Sequence, residues 1–152
     1  VPKIEEEGRR EQEMFNATNF GKTLDILHRS MDVSMLRQDV ISNNIANADT
    51  PNFKRSEVNF ETSLRQALES EKRGSDFPAA LTNKRHIPFH RAIDYRTVRP
   101  RRVLDYLTTA DNNGNNVDIE QETMDLLNNQ LSYTMMSNAV NAEFARVNLV
   151  LR

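Results

Sequence analysis

The stretch ISNNIANADTPNFKR, residues 41–55, decides how this chain is read. Ile41, Ile45 and Ala48 keep helical spacing into it, four asparagines crowd the same turns, and Thr50-Pro51 follows. Asparagine competes with the backbone for hydrogen bonds and is a poor helix former, so the amides call for partners. Pro51 is expected to end the helix, because the residue before a proline is pushed out of the right-handed helical region and proline itself has no donor. ADTPNF then reads as a turn in which Asp49 and Thr50 bond nearby amides.

Upstream, Phe20, Leu24, Leu27, Met31, Ser34, Gln38, Ile41, Ile45 and Ala48 follow one another in steps of four and three, the seam of a coiled coil. Ser34 and Gln38 make that seam partly polar, which weakens it and sets register. Val33, Leu36 and Val40 lie off the seam and predict a second neighbour for the helix. The spacing predicts an N-terminal helix within residues 14–50. Residues 1–13 show no apolar period and are expected to be a solvated extension, with Met14 an earlier start.

At the other end, Asp118 with Gln121 three residues on reads as a capping box. Ile119, Thr123, Leu126, Gln130, Tyr133, Ser137, Val140, Phe144, Val147 and Leu151 repeat the same spacing, and Met124, Leu127, Leu131, Met135, Ala142, Ala145 and Leu149 form a neighbouring apolar row. A second long helix is predicted over 117–152. Between the two, residues 51–73 hold the turn and a short amphipathic helix with Phe60, Leu64, Ala67 and Leu68 on one side and Asn59 as its N-cap. Residues 74–116, with Pro78, Pro88 and Pro100, are expected to be irregular or extended. RVLDYLTTA within them reads as a short strand or a helical turn. The fold class is mainly α: two long terminal helices packing as a coiled-coil-like hairpin, with a short helix and a proline-rich middle.

Composition agrees with an elongated shape. Of 152 residues, 38% are hydrophobic and 28% charged, Trp is absent, and the mean hydropathy is -0.69, so most of the chain faces water or a polar partner. No Cys is present, which removes disulfides and thiol chemistry. No run approaches the ~20 apolar residues of a membrane span, and no apolar core of a cleavable signal stands at the N-terminus. The formal net charge of -2 gives no general attraction to nucleic acid, although residues 84–102 hold seven Lys or Arg against one Asp.

Candidate chemistry is sparse. Asp111, Asn113, Asn115 and Glu122 fall on positions 1, 3, 5 and 12 of a calcium loop, but Asn116 stands where the loop needs Gly and Asp118 where an apolar residue belongs. An Asn-Gly turn before a capped helix fits better. His86 and His90 have zinc spacing only on a helix, and Pro88 lies between them. The basic run with Phe89 and Tyr95 is a weak single-strand nucleic-acid signal. Nothing in the pattern builds a catalytic constellation, a metal site or a cofactor pocket. The apolar stripes carry the stronger signal: a two-helix hairpin cannot bury two wide faces on each helix, so further helices from copies or homologous chains are needed.

The motif at residues 44–53 resembles the NxxNxxTPGY hallmark of the flagellar basal-body rod proteins, with Asn44, Asn47, Thr50 and Pro51 in place, and Asn52 and Phe53 where Gly and Tyr are usual. NIANADTPNFK with VNF at 58–60 looks like the B-type version, and NNVDIEQETMDLLNNQLSY, residues 115–133, is similar to the family's second signature. The resemblance implies a non-enzymatic proximal-rod subunit in the periplasmic part of the basal body, exported through the flagellar type III apparatus without a cleaved signal. It implies as partners copies of itself, other rod proteins, the rod-base adaptor, the inner-membrane (MS) ring and the export gate. A stand-alone helical adaptor and an Arg-rich nucleic-acid binder are the competing classes. The residues expected to meet other subunits are Leu24, Leu27, Met31, Gln38, Ile41, Asn44, Ile45, Asn47, Thr50, Pro51 and Phe53 in the first half, with Leu126, Gln130, Tyr133, Val140, Phe144 and Val147 in the second.

Overall fold

The computed structural model describes residues 18–73, 82–83, 85–86, 92–108 and 113–151. The expected extension at 1–13 with Met14, and His90 with most of the proline-rich stretch before it, lie outside the described residues. Helix α1 spans Asn19–Ala46, opened by Thr18, whose hydroxyl accepts the Gly21 N–H at 3.0 Å. Helix α3 spans Ile119–Val150, capped by Asp118, which accepts the N–H groups of Glu120 at 2.9 Å and Gln121 at 3.3 Å. Only half of the expected capping box forms, since the Gln121 amide points forward to Asp125 at 3.1 Å. At 1.5 Å per residue α1 runs about 42 Å and α3 about 48 Å.

The two helices pack antiparallel. Phe20 meets Phe144 edge to face, centroids 6.3 Å apart; the Asn129 amide donates to the Ser34 carbonyl at 2.8 Å; Asn44 bonds Glu122. The coiled-coil-like hairpin is therefore present, with its register revised in the half nearest the turn. Glu122 and Asn129 occupy the buried positions where Thr123 and Gln130 were expected, and Gln38 and Gln130 are exposed. A polar residue in the seam needs an opposite group to bond. Asn129 finds Ser34 and Glu122 finds Asn44, while Gln38 and Gln130 turn to solvent.

The other side of α1 forms the core. Val33 and Val40 pack with Val58, Phe60, Leu64, Ala67 and Tyr95, the second neighbour that the off-seam valines predict. Strand β1, Ser56–Asn59, alternates buried and exposed residues and pairs antiparallel with β2, Arg101–Leu104, in the register Ser56 to Leu104. Asn59 is thus a strand residue and not a cap. The short helix α2, Glu61–Arg73, starts after it, its first turn closed by the Leu64 N–H on the Phe60 carbonyl at 2.9 Å. Of RVLDYLTTA, residues 102–104 take the strand alternative. A 3-10 turn at Tyr95–Thr97, capped by Asp94, is fastened to α1 by the Arg29 guanidinium, which donates to the carbonyls of Arg96 and Val98.

Candidate assembly site

Helix α1 stops at Ala46, well before Pro51. The chain continues in tight turns, with the N–H groups of Asn47, Ala48 and Thr50 on the carbonyls of Asn44, Ile45 and Asn47. A helix end leaves four carbonyls without intrahelical partners, and here a side chain from the second signature serves the turn that follows. Asn115, wholly buried, donates its amide to the carbonyls of Asn47 at 3.0 Å, Ala48 at 2.7 Å and Thr50 at 2.9 Å, while its oxygen accepts the Val117 N–H at 2.7 Å. Pro51 follows the stop and does not cause it.

Three further links close this clasp. Asn52 adopts φ 61°, a left-handed conformation that Asn tolerates, and its N–H donates to the Asn113 carbonyl at 3.1 Å. Asn116 accepts the Arg55 N–H at 2.6 Å and donates to the Asp105 carbonyl at 2.8 Å. Asn44, also wholly buried, pairs with both backbone groups of Ser56, at 3.0 and 2.9 Å, much as a neighbouring strand would, and donates to Glu122 at 3.1 Å. Glu122 is 1% exposed and faces Arg55 at 3.1 Å. Burial pushes its carboxyl above the ordinary value, with the Asn44 bond and the Arg55 charge offsetting part of that rise.

The asparagines of the opening stretch thus find many of their partners inside the chain. Asn44 spends its amide on Ser56 and Glu122, and Asn47 bonds the Asn43 carbonyl at 2.8 Å. Ile41 is buried, Ile45 and Phe53 are half-buried, and Thr50 and Pro51 stand exposed at the tip. Of the residues weighed in the sequence as calcium ligands, Asn115 reaches across to the turn at residues 47–50 and Glu122 to Asn44 and Arg55. The preferred reading, an Asn-Gly turn before a capped helix, agrees with Gly114 at φ 80° and Asp118 as N-cap, but nothing local says which way the Asn115 and Glu122 side chains face. Asn116 and Arg55 had no comparable signal.

At the open end of the hairpin, Leu24, Met31, Val140 and Phe144 line a groove of about 440 Å3. Leu27, Leu126 and Val147 are half-buried, and Tyr133 is exposed. Along the outer face of α3, Met124, Leu127, Leu131 and Met135 are 56–60% exposed and Leu149 is 76% exposed. A monomer rarely leaves so long an apolar row in water. No helix among the described residues is long and apolar enough to cross a membrane.

A hairpin that satisfies its own turn while leaving its longest helix apolar on the outside has the make-up of an assembly subunit. Known proteins give that class a name. The family model described as flagella basal body rod protein matches residues 35–54. The chain is 43% identical over 134 residues to the flagellar basal body rod protein FlgB of Borreliella burgdorferi, covering 88% of this chain and 98% of that one. It is 43% identical over 133 residues to FlgB of Borrelia hermsii (88% and 98%), and 33% identical over 132 residues to FlgB of Bacillus subtilis (87% and 95%). The chain belongs to the FlgB family of flagellar basal body rod proteins, structural components of the rod.

Proposed function

We propose that the chain works in the proximal, periplasmic part of the rod as a non-enzymatic subunit of the torque-transmitting shaft, held by helix packing against neighbouring subunits. The observation that supports this is the row Met124, Leu127, Leu131 and Met135 on the outer face of α3, apolar surface left exposed among the described residues. Burying such residues contributes roughly 1.5–3 kcal/mol for each large side chain, and a repeating helical array multiplies the gain along the rod. Copies of this chain and other rod proteins are the partners of that face. The rod-base adaptor, the MS ring and the export gate are partners at the rod's base, reached by type III export without a cleaved signal. The asparagine clasp has a preparatory role: it holds the two helix ends together so that each subunit presents one rigid shape.

Complementation tests the function. Cells lacking the chain should stop flagellar assembly before a complete rod forms, and resupplying it should restore rods seen in isolated basal bodies. Complete rods in the deletion strain would overturn the proposal.

A further inference from the structure

Beside the clasp, α1, β1 and α3 border a cleft of about 350 Å3, within the ~300–1,000 Å3 of pockets that accept small ligands. Four polar atoms of residues lining it are buried without a hydrogen bond: Arg55 Nε, Ser56 Oγ, Glu122 Oε1 and Asn129 Oδ1. Asn129 is 95% buried (5% exposed) and anchored at its other end, where Nδ2 holds the Ser34 carbonyl. Glu122 spends Oε2 on Asn44, and its Oε1 lies 3.1 Å from Arg55 Nε without a hydrogen bond forming. Buried groups of this kind are costly unless something supplies the missing bonds.

The chemistry of the occupant follows from charge. Glu57, Glu122 and Asp125 face the single guanidinium of Arg55, because the other arginine on the wall, Arg37, is paired with Glu61 at 2.5 Å. Two of these atoms can only accept: Glu122 Oε1, ion-paired with Arg55 Nε but not hydrogen-bonded, and Asn129 Oδ1. A group that donates in several directions and carries positive charge satisfies both, and a guanidinium has five N–H donors in one plane.

We propose that this cleft is a socket for an arginine of a second copy of the chain, supplied by the exposed Arg99, Arg101 and Arg102 at strand β2. Those three close the most basic stretch of the sequence, seven Lys or Arg against one Asp over 84–102. Among the described residues β2 pairs only with β1, and its free edge can approach a neighbour. Of the three, Arg102 makes one long contact to Asn43 Oδ1, at 3.5 Å. An acceptor-rich cleft on one surface and a donor-rich strand on another form a heterologous contact, which repeats from copy to copy without closing on itself. The proposal rests on the rod reading only in that a rod sets copies side by side.

A dye-labelled peptide of residues 96–104, titrated into the full chain at low salt and followed by fluorescence anisotropy, tests it. Saturable binding is expected. Affinity should fall at least tenfold in Asp125→Lys and in Asn128→Lys, both at the cleft and both checked for unchanged helicity, and should hold in Asp32→Lys, which removes an exposed acid elsewhere. A peptide with lysine at the arginine positions should also bind more weakly. No binding, equal binding by the cleft variants and Asp32→Lys, or equal binding of the lysine peptide would each overturn the proposal, leaving the cleft to water or to general charge attraction. The assay involves no rods, so its failure is separable from failure of the complementation test.

Discussion

The side-chain amide of Asn115 donates to the carbonyl oxygen of Ala48 at 2.7 Å, joining residues 67 apart in the chain. It brings the two family signatures into one clasp and supplies a donor to the carbonyl of the buried Ala48, two residues beyond the end of α1. Asn115→Leu keeps the bulk and removes the donors. The expected loss is about 1–3 kcal/mol for the carbonyl left buried and unbonded, read as a lower urea midpoint of the purified chain. An unchanged midpoint would show that the turn finds other partners.

The same contact reassigns the role of Pro51. Because α1 has already ended at Ala46, Pro51→Ala alone should leave the helix boundary where it is. Combined with Asn115→Leu, it should let helical protection advance toward Phe53. Hydrogen exchange at residues 47–53 distinguishes the two; an extended helix in Pro51→Ala alone would return the stop to proline.

Much of this fold is legible in the residues because its signals are local. Asp118 caps the last helix, the four-three spacing marks both long helices, and Val33 and Val40 announce a second packing partner. The strands are not legible in the same way. Ser56–Asn59 is four residues long and runs almost directly into α2, so its period of two is too short to separate from helical spacing. The seam register failed for a different reason: Glu122 and Asn129 are buried by virtue of Asn44 and Ser34, partners that only the folded hairpin brings opposite them. The clasp was half legible, since Asn44 stood out at once whereas the direction of Asn115 depends on a turn 67 residues away.

Two positions in the clasp have left-handed backbones, Asn52 at φ 61° and Gly114 at φ 80°. Asn52→Gly should hold or raise stability, whereas Asn52→Val should lower it by roughly 1–2 kcal/mol, since only small or amide side chains tolerate this region. Gly114→Ala meets the same backbone cost and places a methyl group 2.7 Å from Asn52 Oδ1. Because that oxygen ends a flexible side chain, the double variant Asn52→Gly with Gly114→Ala should recover part of the loss. Thermal unfolding of the four variants measures it, and a fully additive loss would argue against contact between the two.

Glu122 gives the chain a pH signature. Burial raises its folded pKa above the ordinary 4.5, against the pull of Asn44 and Arg55 and with Asp125 and Glu57 adding to the rise. The folded chain therefore holds this proton to higher pH than the unfolded chain does, and stability relative to Glu122→Gln falls as pH climbs from about 4.5 through the folded value, then levels off. Each unit of separation is worth about 1.4 kcal/mol. Urea midpoints of the two proteins across pH 4 to 8 test the slope; a difference that grows with pH would reverse the sign and contradict it.

The outer face of α3 carries the central claim. Leu127→Glu and Leu131→Glu change residues that are 60% and 56% exposed in the single chain, so the purified variants should keep helicity and stability within about 0.5 kcal/mol. Within a rod the same charges would have to be buried without partners. The decisive measurement is imaging of basal bodies from cells carrying each variant, paired with a secretion assay for the chain itself. Normal export with no complete rod is the expected result. Intact rods built from a variant with glutamate at both positions would contradict the role assigned to this face.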